Sequence, residues 1–202
     1  ALFSVINPLG TLPIFIGLTS DKSRKEITGI AFKSSLNTFV ILLISFFLGK
    51  YLLTFFGISL EALKIAGGLI IASSGFALLT GNFFKHKGMK EREKEDAFSR
   101  SSVSLTPIAI PMLAGPGSIS LLITYNREYS ILGDKIILIC SIFCISVITY
   151  ILLISSRNII KVLGASGINA LSRIIGFIVI SIGIQYVIST FFSLLSGIIK
   201  VN

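Results

Sequence analysis

The chain has 202 residues, of which 53% are hydrophobic and only 13% charged, and its mean hydropathy is +0.92. A soluble domain of this length has too little interior to bury so much apolar surface, so we predict that the chain is embedded in a lipid bilayer. The net charge of +9 does not indicate a nucleic-acid partner, because the Lys and Arg residues fall in short segments between long apolar runs.

Six apolar stretches reach or approach the ~20 residues with which a helix crosses a bilayer. Their hydrophobic residues are continuous and do not alternate with polar ones, which favours helices over the strands of a membrane barrel. One stretch contains Lys50, close enough to its end to reach the interface. The predicted spans are Ala1 to Ser20, Ser34 to Phe56, Ile65 to Phe84, Ser101 to Asn126, Ile136 to Ser156 and Ile174 to Ile199.

The first span carries helix-breaking residues in the run INPLGTLPIF. Proline removes a backbone N–H and clashes with the carbonyl one turn back, and glycine loosens the backbone further. A backbone opened in this way is tolerated in a membrane only where it is buried in protein or lines a wet cavity. We therefore predict a discontinuous helix whose candidate binding residues are Asn7, Pro8, Gly10, Thr11 and Pro13.

The fourth span repeats this composition in the run TPIAIPMLAGPGSIS, which contains Pro107, Pro111 and Pro116. Prolines that only kink a helix for packing are the simpler interpretation. Several breakers in each of two spans, together with hydroxyl and amide side chains, favour a binding site formed by the opened backbone. The candidate residues in this run are Gly115, Pro116, Gly117, Ser118 and Ser120.

An internal repeat appears when the chain is shifted against itself by 108 residues. The stretch EALKIAGGLIIASSGFA then falls on NALSRIIGFIVISIGIQ, and Pro8 falls on Pro116. Three spans in each half force the second copy to enter the membrane from the opposite side. We predict an all-α membrane protein with six transmembrane helices, arranged as two inverted three-helix repeats in which the first helix of each half is discontinuous. The repeats cover residues 1–84 and 101–202, and residues 85–100 form a charged cytoplasmic linker.

Two pairs of glycines occupy equivalent places in the halves. Gly68 and Gly75 are seven residues apart, as are Gly176 and Gly183, so each pair lies on one helix face. Faces without side chains let membrane helices approach closely, which favours a helix-packing role for these four residues.

The predicted spans contain no His and no pair of carboxylates, which argues against a metal site or a carboxylate proton relay. The N-terminal amides of half-helices attract a carboxylate or another anion. Freed carbonyls and neutral side-chain oxygens suit an ammonium group, Na⁺ or water. We expect a small substrate that is neutral or zwitterionic and no resident cofactor; coupling to H⁺ or Na⁺ stays open.

The paired runs, the central hydrophilic segment and the six spans resemble the MarC family of bacterial and archaeal inner-membrane proteins over nearly the whole chain. The family's N/D-P-x-G element falls on Asn7, Pro8 and Gly10, with its next proline at Pro13, and its A-G-P-G-x-I-S element falls on residues 114–120. The chain departs from the family at its start, where upstream residues of the first span are missing. The resemblance implies a multi-pass protein of the cytoplasmic (inner) membrane, and some relatives are implicated in the transport of glycine and alanine.

These observations predict a secondary transporter of small neutral amino acids, or of similar small metabolites, that works by alternating access. An exporter of another small solute and a membrane scaffold that transports nothing are the alternatives. An enzyme is disfavoured, because no nucleophile paired with a base and no metal cluster is visible in the sequence. The oligomeric state is left open.

The basic residues predict the orientation of the chain. Of the 18 Lys and Arg residues, 13 fall on one side of the predicted spans and 5 on the other, so the first side should face the cytoplasm and both termini the periplasm. A reporter that is active only in the cytoplasm, fused to the C-terminus, should therefore be inactive. An active fusion would contradict the orientation.

Overall fold

The structure is a computed structural model that describes residues 1–19, 21–80 and 113–199. Within these residues all regular elements are helices, so the predicted all-α membrane class is confirmed. A long helical stretch, Leu132–Ile199, is interrupted at Gly164, where φ is 67° and ψ is 171°. The helices are α1 (Leu2–Ile6), α2 (Pro8–Leu18), α3 (Arg24–Phe56), α4 (Leu60–Thr80), α5 (Pro116–Glu128), α6 (Leu132–Ile159) and α7 (Ser166–Ser196).

Four of these helices, α3, α4, α6 and α7, are long and apolar enough to cross a bilayer. Each begins before its predicted span, and in α3 local capping, not hydrophobicity alone, sets where the helix begins. At the start of α3, the Ser23 hydroxyl accepts from the Glu26 amide at 3.4 Å, and the Glu26 carboxylate accepts from the Ser23 amide at 2.8 Å. At the other end of α3, Gly57 has the left-handed φ of 66° that terminates many helices.

The short helices lie inside the protein and the long helices surround them. Leu12 and Phe15 of α2 and Leu121 of α5 are fully buried in one hydrophobic core. The long helices instead expose large apolar side chains such as Phe55 and Phe177, as expected for surfaces that face lipid. Among the described breaker residues, Asn7, Pro8 and Gly117 are thus buried by the rest of the chain, whereas Pro116 is exposed.

Helices α4 and α7 pack against each other through the predicted glycine faces. A Cβ on Gly68 would lie 2.7 Å from the Gly183 carbonyl oxygen, and one on Gly75 would lie 2.7 Å from the Gly176 carbonyl oxygen. The contacts are reciprocal, at 2.5 Å from Gly183 to the Gly68 oxygen and 2.8 Å from Gly176 to the Gly75 oxygen. Residue numbers rise along one helix as they fall along the other, so α4 and α7 are antiparallel. All four glycines lie where the backbones of α4 and α7 come closest.

The predicted domain boundaries fall partly in segments outside the described residues. These segments include the linker 85–100 and the prolines Pro107 and Pro111. The six-span arrangement and the division into 1–84 and 101–202 therefore stay predictions.

The glycine contacts generate a stability prediction. Gly183→Ala should destabilise the protein by about 1–3 kcal/mol, because its Cβ would meet the backbone of Gly68 and Ala72. Gly29→Ala is the matched control, since Gly29 lies in α3 with nothing within 4 Å of its Cβ position. Thermal unfolding in detergent measures the stability of both variants relative to the unmodified protein. Equal stability of the two would show that the α4–α7 contact is loose.

Candidate functional site

The first breaker run interrupts the chain at Asn7. Helix α1 ends at Ile6 and α2 begins at Pro8, and Asn7 between them has the left-handed conformation, with φ 49° and ψ 63°. Asparagine is one of the few residues besides glycine that adopt this conformation readily. The predicted discontinuity is present, but it is narrower than expected, because α2 continues without interruption through Pro13.

Asn7 also caps the helix that follows it. Its Oδ1 accepts a hydrogen bond from the Gly10 amide at 3.1 Å, and its backbone carbonyl accepts one from the Thr11 hydroxyl at 3.2 Å. The Asn7 carboxamide fills the space that a Cβ on residue 10 would need, so glycine is required there. The Gly10 amide and the Thr11 hydroxyl thus both donate hydrogen bonds to Asn7.

The second breaker run places Pro116 at the start of α5, as Pro8 stands at the start of α2. The residue before it, Gly115, is extended and provides no side-chain cap. The Ile119 amide donates to the Gly115 carbonyl at 3.1 Å, so the amides of Gly117 and Ser118 lie before the first backbone bond of the helix. This end of α5 presents donors without the cap that Asn7 gives to α2.

The two runs meet at one small cavity of about 30 Å³. This volume accommodates one or two water molecules and is far below the ~300 Å³ of the smallest typical ligand pockets. Both breaker runs, α4 and α7 contribute to its wall. The lining residues are Ser4, Val5, Ile6, Asn7, Ile70, Ile71, Ser74, Leu78, Gly115, Pro116, Gly117, Ser118 and Val179.

The cavity brings together half of the residues predicted to bind substrate. Asn7, Gly115, Pro116, Gly117 and Ser118 line it, whereas Pro8, Gly10, Thr11 and Ser120 do not, and the side chain of Pro13 lies outside what the structure describes. The Ser120 hydroxyl instead donates to the Leu63 carbonyl of α4 at 3.1 Å. Whether any of these residues binds substrate stays a prediction.

Sequence reasoning missed the apolar wall of the cavity and two of its serines, Ser4 and Ser74. Ile71 and Val179 could have been found from the repeat, because they are 108 residues apart and lie within the aligned stretches. Nothing in the sequence pattern separates Ser4 and Ser74 from the other hydroxyl residues of the spans.

Helix ends of opposite polarity face the cavity. Ser4, Val5 and Ile6 form the last turn of α1, where carbonyls lack intrahelical donors, and the Ser4 carbonyl lacks one because Pro8 has no N–H. The start of α5 supplies the opposite, donor end. None of the lining residues that the structure describes is titratable. Among the described residues, no cluster of three or more His, Cys, Asp or Glu could hold a metal ion.

Polar contacts fasten the inner helices at their far ends. Arg157 of α6 donates to the carbonyls of Thr19 and Lys22, at 3.0 Å and 3.2 Å, just beyond the end of α2. At the end of α5, the Glu128 carboxylate forms an ion pair with Lys64 of α4. Arg157 stabilises a helix C-terminus, where a positive charge is favourable.

This arrangement defines an integral membrane protein in which four long helices pack around three short helices, α1, α2 and α5, and the breaker runs meet at a small cavity. The chain belongs to the family described as MarC family integral membrane proteins, which it matches over residues 1–195. The family predicted from the two breaker runs is confirmed.

Three relatives illustrate the similarity. A UPF0056 membrane protein of Methanocaldococcus jannaschii is 35% identical over 94% of this chain and 91% of its own length. A UPF0056 membrane protein of Aquifex aeolicus is 36% identical over 93% of this chain and 87% of its own length. The UPF0056 inner membrane protein MarC of Escherichia coli is 33% identical over 93% of this chain and 89% of its own length. No solved structure matches the chain significantly.

Two variants of Asn7 separate its conformational role from its capping role. Asn7→Ala should destabilise the protein by about 2 kcal/mol, since it loses the cap and puts alanine in a left-handed conformation. Asn7→Gly loses the cap alone and should cost well under half as much. Unfolding in detergent gives both values. If Asn7→Ala were as stable as Asn7→Gly, the left-handed conformation of residue 7 would be disproved.

Proposed function

We propose that the protein is a secondary transporter of small neutral amino acids such as glycine and alanine, or of similar small metabolites, and that it works by alternating access. The observation that carries this proposal is the cavity at which the end of α1, the start of α5 and Asn7 meet. Opposed helix ends at a discontinuous segment are the way many transporters bind small polar solutes without buried charges.

The proposal includes an inverted repeat, which two sets of contacts support. The glycine contacts are reciprocal: Gly68 meets the repeat equivalent of Gly75, and Gly75 meets the repeat equivalent of Gly68. A twofold axis between α4 and α7 generates this pattern, and the antiparallel direction of the helices requires that the axis lie in the membrane plane.

The cavity lies where such an axis would pass. Two pairs of lining residues are separated by the repeat distance of 108, namely Asn7 with Gly115 and Ile71 with Val179. Each half thus contributes one breaker residue and one apolar residue to the same wall. A solute held there would be contacted by both halves at once, as alternating access requires.

Loading requires movement, because glycine, the smallest amino acid, is larger than a cavity of about 30 Å³. The polar contacts at the far ends of α2 and α5 are suited to hold the closed form. When the protein opens to one side of the membrane, the hydrogen bonds of Arg157 to the end of α2 would break. When it opens to the other side, the Lys64–Glu128 pair at the end of α5 would break.

Uptake by liposomes tests the proposal. Reconstituted protein should take up labelled glycine or alanine saturably, and gradients of H⁺ and of Na⁺, imposed separately, should show which ion, if either, drives it. No saturable uptake by folded protein would contradict a transport function for these amino acids. Competition by other small solutes distinguishes an exporter of a different substrate.

Pro8→Ala tests whether the break itself is needed. The substituted alanine supplies an N–H to the carbonyl of Ser4, a lining residue whose helical donor is missing while residue 8 is proline, and so competes with the solute for this acceptor. Uptake at low substrate concentration should fall by about tenfold or more, since a hydrogen bond to a charged group contributes about 1.5–3 kcal/mol. Leu69→Ala, on the exposed face of α4, is the matched control. Unchanged uptake by Pro8→Ala would favour a purely structural role for the break.

A further inference from the structure

We infer that the cavity binds an α-amino acid in one orientation, with its carboxylate at the start of α5 and its ammonium at the end of α1, and that Ile71 limits the size of the side chain it admits. This inference rests on the proposed transport function. It adds the direction in which the solute lies and a residue that selects among substrates.

The hydrogen-bond donors at one end of the cavity come from the start of α5 and from Asn7. The amides of Gly117 and Ser118 precede the first backbone bond of α5, and no side chain caps this helix. Asn7 is 4% exposed and its Oδ1 is occupied by the Gly10 amide, which leaves its Nδ2 without a partner. Among the described residues, Asn7 is the only one that both lines the cavity and holds a buried side-chain atom lacking a partner. These donors suit a carboxylate.

The two halves are therefore not equivalent at this point. At the start of α2, the Gly10 amide is already bound by the Asn7 side chain, whereas the equivalent residue of Asn7 in the second half, Gly115, has no side chain. The first half contributes the cap and the unpaired carboxamide nitrogen, and the second half contributes the bare helix start. An anion consequently has donors available at the start of α5 but not at the start of α2.

The acceptor end belongs to α1. Ser4, Val5 and Ile6 line the cavity with the last turn of this helix, and Pro8 leaves the Ser4 carbonyl without its helical donor. An ammonium group has donors only, so carbonyl oxygens suit it. The described part of the wall thus complements a zwitterion, since no charged residue lies among the lining residues of the ranges 1–19, 21–80 and 113–199.

The space left for a substrate side chain is bounded by Ile71, which is 1% exposed. Its Cγ1 lies 2.9 Å from the position of a Cβ on Gly117, so Ile71 reaches the donor end of the cavity. Ile71 stands between Gly68 and Gly75, which hold α4 against the backbone of α7. Because α4 is held against α7 in this way, we expect the Ile71 side chain to move little, and a larger substrate side chain would clash with it.

The test of Ile71 compares uptake of valine with uptake of glycine by the full chain in liposomes. Ile71→Ala should raise the ratio of valine to glycine uptake by at least about tenfold, because each added methylene in a tight apolar pocket changes discrimination by about that factor. Leu69→Ala, which faces away from the cavity on the same helix, should leave the ratio unchanged. An unchanged ratio in a folded, active Ile71→Ala protein would overturn the role of Ile71.

A paired variant tests the same contact from the opposite wall. Gly117→Ala places its Cβ against Ile71 and should reduce glycine uptake by about tenfold or more, and Ile71→Ala in the same chain should restore much of the loss. Restoration also shows that Gly117→Ala does not act by misfolding. Additive losses in the double variant would contradict a shared boundary.

Substrate analogues test the orientation in the unmodified protein. Glycinamide lacks the carboxylate and propionate lacks the ammonium, so each should compete with labelled glycine at least about tenfold less well than alanine does. Glycinamide competing as well as alanine would overturn the carboxylate site, and propionate competing as well would overturn the ammonium site. If the protein takes up none of the amino acids, the proposed transport function is wrong. If it takes up glycine but glycinamide or propionate competes as well as alanine, only the inferred orientation is wrong.

Discussion

The structure depends on a hydrogen bond that cannot form. Pro8 has no N–H, so the Ser4 carbonyl at the end of α1 has no donor one turn ahead, and in a bilayer no water replaces it at the lipid surface. Such a carbonyl is tolerable only inside the protein. In keeping with this requirement, Pro8 is buried, and the apolar side chains of α2 pack in one core with those of α5, which also begins with a proline.

The glycine contacts between α4 and α7 give that interior a firm wall. Because these helices touch backbone to backbone, their separation is set by the absence of side chains at four positions. Ile71 and Val179 project from between those glycines and join one small apolar cluster with Ile175. The wall that faces the polar helix ends is therefore held in place by backbone contact, whereas the short helices are tied at their far ends by polar groups that can separate.

Much of the fold could be predicted from composition and spacing. Apolar run length is set by bilayer thickness, so it identified all four of the long helices. The repeat offset identified the glycines that meet, because two glycine pairs at the same spacing are not expected by chance from an apolar composition alone. The helix ends were missed: α3 begins at Arg24 because of a local capping box, which hydropathy does not detect.

The candidate site was predicted in part, for a physical reason. Proline and glycine mark where a helix opens, and the residues singled out on this basis include Asn7 and Gly115–Ser118, which line one cavity. The spacing could not show that Asn7 binds the Gly10 amide, since that bond depends on a left-handed residue 7. Nor could it show that α2 passes through Pro13 without interruption, because membrane helices tolerate a proline wherever nearby groups can satisfy the freed carbonyl, and the pattern does not reveal such groups.

The uncharged lining of the cavity has an energetic consequence for the bilayer's electric field. A zwitterion carries no net charge, and no ionised side chain of the wall would move with it. The membrane potential performs work only on charge that crosses it, about 2.3 kcal/mol per elementary charge at 100 mV. If the protein transports a zwitterion as proposed, translocation past the described lining residues would be electrically silent, and voltage sensitivity of the cycle would originate in a co-transported ion.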